Sequence, residues 1–175
     1  GGAPGQVVYT AMLNQAGGFA ADVTVTRLSE LEYLVVSPTA QATHDLDWIR
    51  CDLSRHPEQF AVATDVTGAT TVIALMGPRA REVLAEACGV DADAATGPLG
   101  NESFKFGTWQ HVDVGFVTCR AARISYVGEL GWELYAPVES AHAGYDALHR
   151  AAASLGAAAE GGSSATPSPL RNGGY

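Results

Sequence analysis

Hydrophobic and polar residues alternate over three early segments of the chain, residues 6–13, 19–28 and 32–37. A period of two places successive side chains on opposite faces, which is typical of half-buried strands. The connections between the segments are short, and residues 14–18 carry Asn and two glycines, which favour a turn. The pattern therefore predicts an antiparallel meander of three strands.

A helical period follows the meander. Leu46, Ile49 and Leu53 recur at the spacing of one helix face. Thr43 stands before them as the predicted N-cap, and Pro57 is predicted to end the helix because proline cannot continue it.

The remaining segments continue the mixture of strands and helices. Residues 60–68 and 70–77 are predicted strands, and a helix is predicted between Pro78 and Gly89, since proline favours helix starts and glycine helix ends. Residues 90–103 are a predicted loop. The final predicted elements are strands over 108–114, 117–126 and 132–136 and a helix from Pro137 to about Ser154, with Ala143, Tyr145, Leu148 and Ala152 among its apolar positions.

Groups of strands interrupted by single helices indicate the α+β class, with antiparallel sheets and helices packed on them. From residue 156 the composition changes to Ala, Gly, Ser and Pro, which is typical of linkers and chain ends. We therefore expect one partial domain over residues 1–155 and a disordered or degraded tail over 156–175.

Composition and charge exclude several classes of partner. The chain has 175 residues, 47% hydrophobic and 17% charged, so it can bury a core. A net charge of −9 without a basic patch argues against nucleic acid, and no apolar run approaches the ~20 residues of a membrane span. The three cysteines lack CxxC spacing, which predicts no metal site and a reducing compartment such as the cytoplasm.

One predicted strand carries an unusual carboxylate, Asp22 in GGFAADVTVT. Aspartate is disfavoured in strands because its short side chain competes for backbone hydrogen bonds. Alternation places Asp22 and Thr24 on one face and Ala21 and Val23 on the apolar face, which should be the core side. Residue statistics favour a solvated Asp22, and a role in binding a ligand stays open.

A second carboxylate, Glu133, lies in the predicted strand after the turn YVGELG. Trp132, Leu134 and Tyr135 flank it, and Tyr126 precedes the turn. An outward-facing glutamate is again the simpler interpretation. Two carboxylates on strands with aromatic neighbours would also suit a cationic or amidine-like ligand such as a reduced pterin, because a carboxylate can accept two hydrogen bonds from a planar N–H pair.

Three segments in order carry a family resemblance: GQVVYTAMLNQAGGFAADVTVTRL, ALMGPRAREVL and RISYVGELGWELY. Together they resemble the tetrahydrofolate-binding domain of the glycine-cleavage aminomethyltransferase (T-protein) superfamily, over about residues 6–150. The segment YVGELGWELY is more similar to the folate domain attached to dimethylglycine and sarcosine dehydrogenases than to the glycine-cleavage enzymes. The resemblance implies a part of the aminomethyltransferase folate-binding fold, truncated at both ends and without the family's C-terminal β-barrel.

The resemblance also implies site residues in the first segment. Asp22 matches the family's functional aspartate, which lies by the reactive nitrogens of tetrahydrofolate and assists their attack on the carbon to be transferred. Tyr9 matches a tyrosine that lines the folate cavity, and Thr24 is expected to border the same ligand.

Later segments supply the other implied contacts. Tyr126 and Glu133 match the tyrosine and the second glutamate of the family's YxGExGxEx segment, and Glu133 would hold the N–H pair of the pterin. Arg171, in SPLRNGGY, is the candidate for an arginine that contributes to the family's folate site.

The implied function is tetrahydrofolate-dependent one-carbon transfer that forms 5,10-methylenetetrahydrofolate from an iminium or aminomethyl donor. The expected partners are tetrahydrofolate, a small amine-derived donor and a flavin dehydrogenase domain joined covalently or non-covalently, with FAD held only in such an upstream domain. The alternatives are a glycine-cleavage aminomethyltransferase and a non-catalytic folate-binding or regulatory module. The implied compartment is the cytoplasm, or the mitochondrial matrix in a eukaryote.

Overall fold

The computed structural model describes residues 2–157 and confirms the α+β class with antiparallel sheets. In chain order the elements are β1 Val7–Leu13, β2 Phe19–Arg27, β3 Tyr33–Val36, α1 Ala42–Arg55, β4 Thr70–Met76, α2 Ala80–Cys88, β5 Trp109–Val114, β6 Val117–Ala122, β7 Gly131–Pro137 and α3 Ala141–Ser154.

The first three strands form the predicted meander, a three-stranded sheet in the order β1-β2-β3. In its register Tyr9 lies opposite Thr24, and Ala11 lies opposite Asp22. Directly opposed residues project to the same face of an antiparallel pair. Tyr9 and Asp22 are therefore diagonal neighbours on one face of this sheet.

The other four strands form a second sheet in the order β4-β7-β6-β5. Its central strand β7 is buried on both sides and pairs with β4 and β6. One face of the sheet packs on α2 and α3, and the main core lies there. The core includes the buried residues Leu84, Phe104, Val114, Ala121, Trp132, Leu134 and Leu148.

Helix α2 ends where the sequence predicted. Gly89 adopts the left-handed conformation with φ of 65°, and its N–H donates to the carbonyl oxygens of the last helical turn. Glycine is favoured at this position because it has no Cβ to clash in the left-handed region.

Main-chain hydrogen bonds join the two sheets at one end of β1. The N–H of Val7 donates to the carbonyl of Gly107 at 2.7 Å, and the N–H of Trp109 donates to the carbonyl of Gly5 at 3.0 Å. The indole N–H of Trp109 also donates to the carbonyl of Arg27, at 3.1 Å. The start of β5 is thereby held against both β1 and the end of β2.

A second, smaller core seals this junction between the sheets. Val7, Ala122 and Tyr135 are buried in it, and the partly buried residues packed against them are Leu34, Val36, Trp109 and Ile124. The face of the meander that carries Val7 therefore contacts the face of the four-stranded sheet that lies opposite the helices.

The predicted strand over residues 60–68 is wrong. Phe60 has a φ of 50° and turns the chain where the strand was expected to begin. At the other end, the carboxylate of Asp65 accepts a hydrogen bond from the N–H of Thr67, and Thr67–Ala69 form a single 3₁₀ turn. Such local Asp hydrogen bonds compete with strand pairing.

Three smaller expectations also differ from the structure. Thr43 lies inside α1 and is not its N-cap. β6 ends at Ala122, four residues early, because the N–H of Ile124 bends back to the Ala122 carbonyl at 3.0 Å. On α3, Ala143 and Tyr145 are exposed, and the buried positions are Ala141, Gly144, Ala147, Leu148 and Ala151.

The predicted tail over 156–175 lies outside the described residues except for its first two positions. Within residues 2–157, no helix combines the length and the apolar character needed to cross a bilayer.

Candidate functional site

The first predicted site residues meet on the three-stranded sheet. The phenol of Tyr9, on β1, donates a hydrogen bond to Oδ2 of Asp22, on β2, at 2.6 Å. Their diagonal placement across the antiparallel pair brings a long aromatic side chain within reach of a short carboxylate. The tyrosine thereby holds the orientation of the Asp22 side chain.

The phenol of Tyr9 is influenced by two neighbours. Its hydrogen bond to Asp22, and the charge of the same carboxylate, raise the pKa of Tyr9 above its ordinary value, and Tyr126 adds in the same direction. The structure thus joins Tyr9 and Asp22 by a direct hydrogen bond, and Tyr126 acts on Tyr9 through a weaker electrostatic effect, although 117 positions separate the two tyrosines in sequence.

The face that carries Asp22 is directed towards the second sheet and is not simply a solvated outer face. Thr24 and Thr26 follow Asp22 on this face, and Thr26 is only 4% exposed. Ala21 and Val23 on the opposite face are buried as predicted. Both faces of β2 are therefore covered in part, and Asp22 itself is half-buried.

Glu133 lies on the facing sheet. In the register of that sheet it is opposite Ala74 of β4 on one side and Ala122 of β6 on the other. Both neighbours are alanines, so the half-buried carboxylate has no large side chain directly beside it on this face. Tyr135, two residues further on, donates its phenol hydrogen to Oε2 of Glu133 at 2.5 Å.

Tyr135 is a site residue that sequence reasoning missed. Burial in the junction, followed by the charge and hydrogen bond of Glu133, raises the pKa of Tyr135 well above its ordinary value, against a smaller opposing effect of Arg120. Part of the signal was in the sequence, because Tyr135 is two positions from Glu133 and hence on the same face. The burial that makes its phenol need a hydrogen-bond partner depends on the junction between the two sheets.

The facing side of the meander becomes exposed beyond the junction. Val7 is buried in the contact, whereas Tyr9, two positions further along β1, is 71% exposed. We call the region between the facing sides of the two sheets, next to the junction, the inter-sheet cleft. The meander contributes Tyr9, Asp22 and Thr24 to its facing side, and the four-stranded sheet contributes Glu133, which lies opposite Ala122 of the junction.

The remaining predicted residue, Arg171, lies outside the described residues. A cavity of about 270 Å³ lies further along the face of the four-stranded sheet, and its lining includes Thr70, His111, Thr118, Arg120 and the site residue Tyr135. None of the residues predicted from sequence lines it. Within residues 2–157, no group of three or more His, Cys, Asp or Glu side chains is arranged to hold a metal ion.

Two carboxylates, each hydrogen-bonded to a tyrosine, thus lie on facing sheets. Such groups can accept hydrogen bonds from a planar, N–H-rich heterocycle, and an exposed aromatic ring can stack on it. The family model for the GCVT N-terminal domain matches residues 2–168 of this chain. The chain belongs to this family.

The relatives of this GCVT N-terminal domain include dehydrogenases and a transferase. Sarcosine dehydrogenase, mitochondrial, of Mus musculus is 35% identical over 168 residues, which cover 87% of this chain and 17% of that protein. Dimethylglycine dehydrogenase, mitochondrial, of Homo sapiens is 34% identical over 140 residues, 80% of this chain and 15% of that protein. Aminomethyltransferase of Geobacillus thermodenitrificans is 33% identical over 153 residues, 87% of this chain and 39% of that protein.

The chain spans only part of the length of these relatives. It covers about a sixth of the two dehydrogenases and about two fifths of the aminomethyltransferase. The resemblance found in the sequence to the aminomethyltransferase superfamily, and to its sarcosine and dimethylglycine dehydrogenase branch, is confirmed by these matches.

Proposed function

We propose that this chain binds tetrahydrofolate in the inter-sheet cleft and takes part in one-carbon transfer that forms 5,10-methylenetetrahydrofolate. The observation that carries the proposal is the pair of tyrosine-bound carboxylates, Asp22 and Glu133, on facing sheets. Membership of a folate-dependent family supports the choice of ligand.

The donor set of the cleft fits a reduced pterin. Glu133 is an acceptor for the planar N–H pair, and the alanines on either side of it leave room for a flat ring. Tyr9 and Tyr126 are 71% and 75% exposed and offer aromatic surface at the mouth of the cleft. Thr24, opposite Tyr9 in the register, adds a hydroxyl to the same wall.

When bound, tetrahydrofolate supplies the nitrogen nucleophiles that accept a carbon at the formaldehyde oxidation level. Asp22 is the proposed catalytic residue and takes a proton from the attacking nitrogen. Its hydrogen bond to Tyr9 holds the carboxylate in one orientation, which lowers the entropic cost of reaching the reactive geometry. The half-buried setting of Asp22 limits competition from water.

The donor of the carbon is proposed from the relatives. Matches to sarcosine and dimethylglycine dehydrogenases favour an iminium generated by a flavin domain that holds FAD and is joined to this one. The match to an aminomethyltransferase favours, as a second candidate, transfer from an aminomethyl group on a lipoyl carrier. The proposed compartment is the mitochondrial matrix in a eukaryote, as the names of the two dehydrogenases suggest, and otherwise the cytoplasm.

Calorimetric titration with tetrahydrofolate tests the binding part of the proposal. We expect micromolar affinity for the full chain and a loss of at least about 100-fold in Glu133→Ala, since a charged acceptor of two hydrogen bonds contributes about 3 kcal/mol or more. Glu129→Ala is the matched control, because Glu129 is an exposed glutamate in the turn before β7. Equal affinity of the two variants for tetrahydrofolate would show that Glu133 does not contact the ligand.

The catalytic part is tested by supplying formaldehyde as the carbon source and following 5,10-methylenetetrahydrofolate. Asp22→Ala should slow formation about 10²- to 10⁴-fold, the usual range for removal of a general base, with folate affinity retained or mildly weakened. Asp146→Ala, an exposed position on α3, is the control. A wild-type chain that binds folate but accelerates nothing would indicate the non-catalytic folate-binding module instead.

A further inference from the structure

We propose that Tyr135 is a positioning residue that fixes the carboxylate of Glu133 for ligand recognition and so contributes to the specificity of the cleft. The inference rests on the proposed function, because the ligand it concerns is a pterin held by Glu133. It adds a residue to which the family resemblance gave no role.

The geometry of the pair provides the first argument. The phenol of Tyr135 reaches Oε2 of Glu133 along the same strand, across two residues and on one face. The terminal torsion of a glutamate side chain is otherwise broad and roughly two-fold. A hydrogen bond to one carboxylate oxygen selects one orientation of the carboxylate plane, and recognition of a planar N–H pair requires that plane to be aligned with the ligand.

The rigidity of Tyr135 provides the second argument. Its side chain is 5% exposed and is held in the junction core with Val7 and Ala122. Arg120 of β6 lies directly opposite it, and Val72 of β4 lies on its other side. A donor fixed by two sheets can fix its acceptor, whereas a donor on a loose side chain would move with it.

The protonation state of Tyr135 is constant over the working range. Burial and the neighbouring Glu133 hold its pKa well above the ordinary value, so the phenol keeps its proton and remains a donor at neutral pH. The pair thus links the junction of the two sheets to the wall of the cleft: the side chain that seals the contact also orients the acceptor.

The test compares two ligands in three proteins. Tetrahydrofolate and an analogue in which hydrogen replaces the pterin 2-amino group are titrated into the wild-type chain, Tyr135→Phe and Tyr145→Phe. The first variant removes only the hydroxyl and keeps the buried ring. The second removes a hydroxyl from a partly exposed tyrosine on α3 that stacks on His149, on the helical side of the second sheet.

We expect Tyr135→Phe to weaken tetrahydrofolate binding about five- to tenfold, the effect of one net hydrogen bond. The analogue offers Glu133 no complete N–H pair, so its affinity should be unchanged and the preference for tetrahydrofolate over the analogue should fall by the same factor. Tyr145→Phe should leave the preference unchanged. If Tyr135→Phe weakens both ligands equally, its role is only structural and the inference is overturned.

A folate-independent measurement separates this inference from the proposed function. Urea unfolding of Tyr135→Phe, Glu133→Ala and the double variant forms a double-mutant cycle, and contact between the two side chains requires that their effects do not add. Additive effects would overturn the pairing itself, whatever the ligand. A wild-type chain with a coupled cycle and no affinity for either ligand would overturn the proposed function, and with it the positioning role.

Discussion

The two faces of strand β7 have opposite environments. Trp132, Leu134 and Ala136 point towards α2 and α3 and are all at most 5% exposed. Glu133 and Tyr135 point the other way, to the junction and the cleft, and satisfy each other by a hydrogen bond. One strand of seven residues thus contributes alternate side chains to the core and to the candidate site.

The parity of a position along β7 should therefore decide which property a substitution changes. Apolar contacts on the face of β7 that packs against α2 and α3, called the helical face below, stabilise the fold through burial and close packing. Polar groups on the cleft face contribute less net stability, because their hydrogen bonds replace hydrogen bonds to water. Stability and ligand binding should therefore respond separately to changes at adjacent residues.

The largest expected effect is on the helical face. Leu134→Ala should lower the free energy of unfolding by about 2–5 kcal/mol, since it removes a fully buried side chain from the core and leaves a cavity. Urea unfolding followed by circular dichroism measures the change. Val72→Ala, on the half-exposed opposite face of the neighbouring strand, is the control and should cost less than about 1 kcal/mol. A similar cost for both variants would contradict the asymmetry.

The second prediction concerns thiols on the helical side. Burial, and then neighbouring groups, raise the pKa of both Cys88 and Cys119 to about 11. Two pH units above an ordinary thiol correspond to about 100-fold less thiolate at pH 8. Iodoacetamide should therefore modify the exposed Cys51 first and the other two at least about 100-fold more slowly. Mass spectrometry of timed digests measures the modification rate of each cysteine. Equal rates for all three cysteines would show that the helical face opens readily.

The third prediction concerns pH and the cleft face. The raised pKa of Tyr135 means that its contribution to stability is complete below about pH 10, where folded and unfolded chains both hold the proton. Above pH 10 the unfolded chain loses that proton while the folded chain keeps it, so stability falls by about 1.4 kcal/mol per pH unit. Urea midpoints between pH 9 and 12 should fall less steeply in Tyr135→Phe. If the urea midpoints of the wild-type chain and of Tyr135→Phe fall in parallel with pH, Tyr135 does not keep its proton in the folded chain.

The smallest expected effect is at the mouth of the cleft. Asp22→Ala removes the acceptor and the negative charge beside Tyr9, so the pKa of Tyr9 should fall towards its ordinary value. NMR titration of ¹³C-labelled tyrosine measures it, with Asp146→Ala as the control. A Tyr9 titration that does not respond to Asp22→Ala would indicate that the hydrogen bond is absent in solution.

Sequence patterns predicted those elements whose signals are local. The alternation over residues 6–37 predicted the meander, and the Pro78 and Gly89 boundaries predicted α2, because period and capping are properties of neighbouring residues. The strand predicted over 60–68 is absent because its formation depends on more than a local pattern. A strand also needs a partner edge, and alternation over nine residues does not supply one.

The candidate site was predicted in part. Asp22 and Glu133 were noticeable as carboxylates within strands, and a family resemblance indicated Tyr9, Thr24 and Tyr126. The direction of Asp22 could not be read from β2 alone, because the second sheet that faces it begins at residue 70. Tyr135 was missed for a similar reason: its partner was visible, but the junction that buries it is formed by chain segments about 100 residues apart.

The main-chain hydrogen bonds between residues 5–7 and residues 107–109 can form only after the ribosome has synthesised β5. A ribosome adds about 5–20 residues per second, so the meander is complete about 4–15 s before the start of β5 is made and can close the junction. During that interval the side of β1 and β2 that later meets the second sheet is open to solvent and to other nascent chains. The Thr, Asp and Tyr side chains on this side, which later form one wall of the cleft, meanwhile make the waiting sheet less apolar and less prone to aggregate.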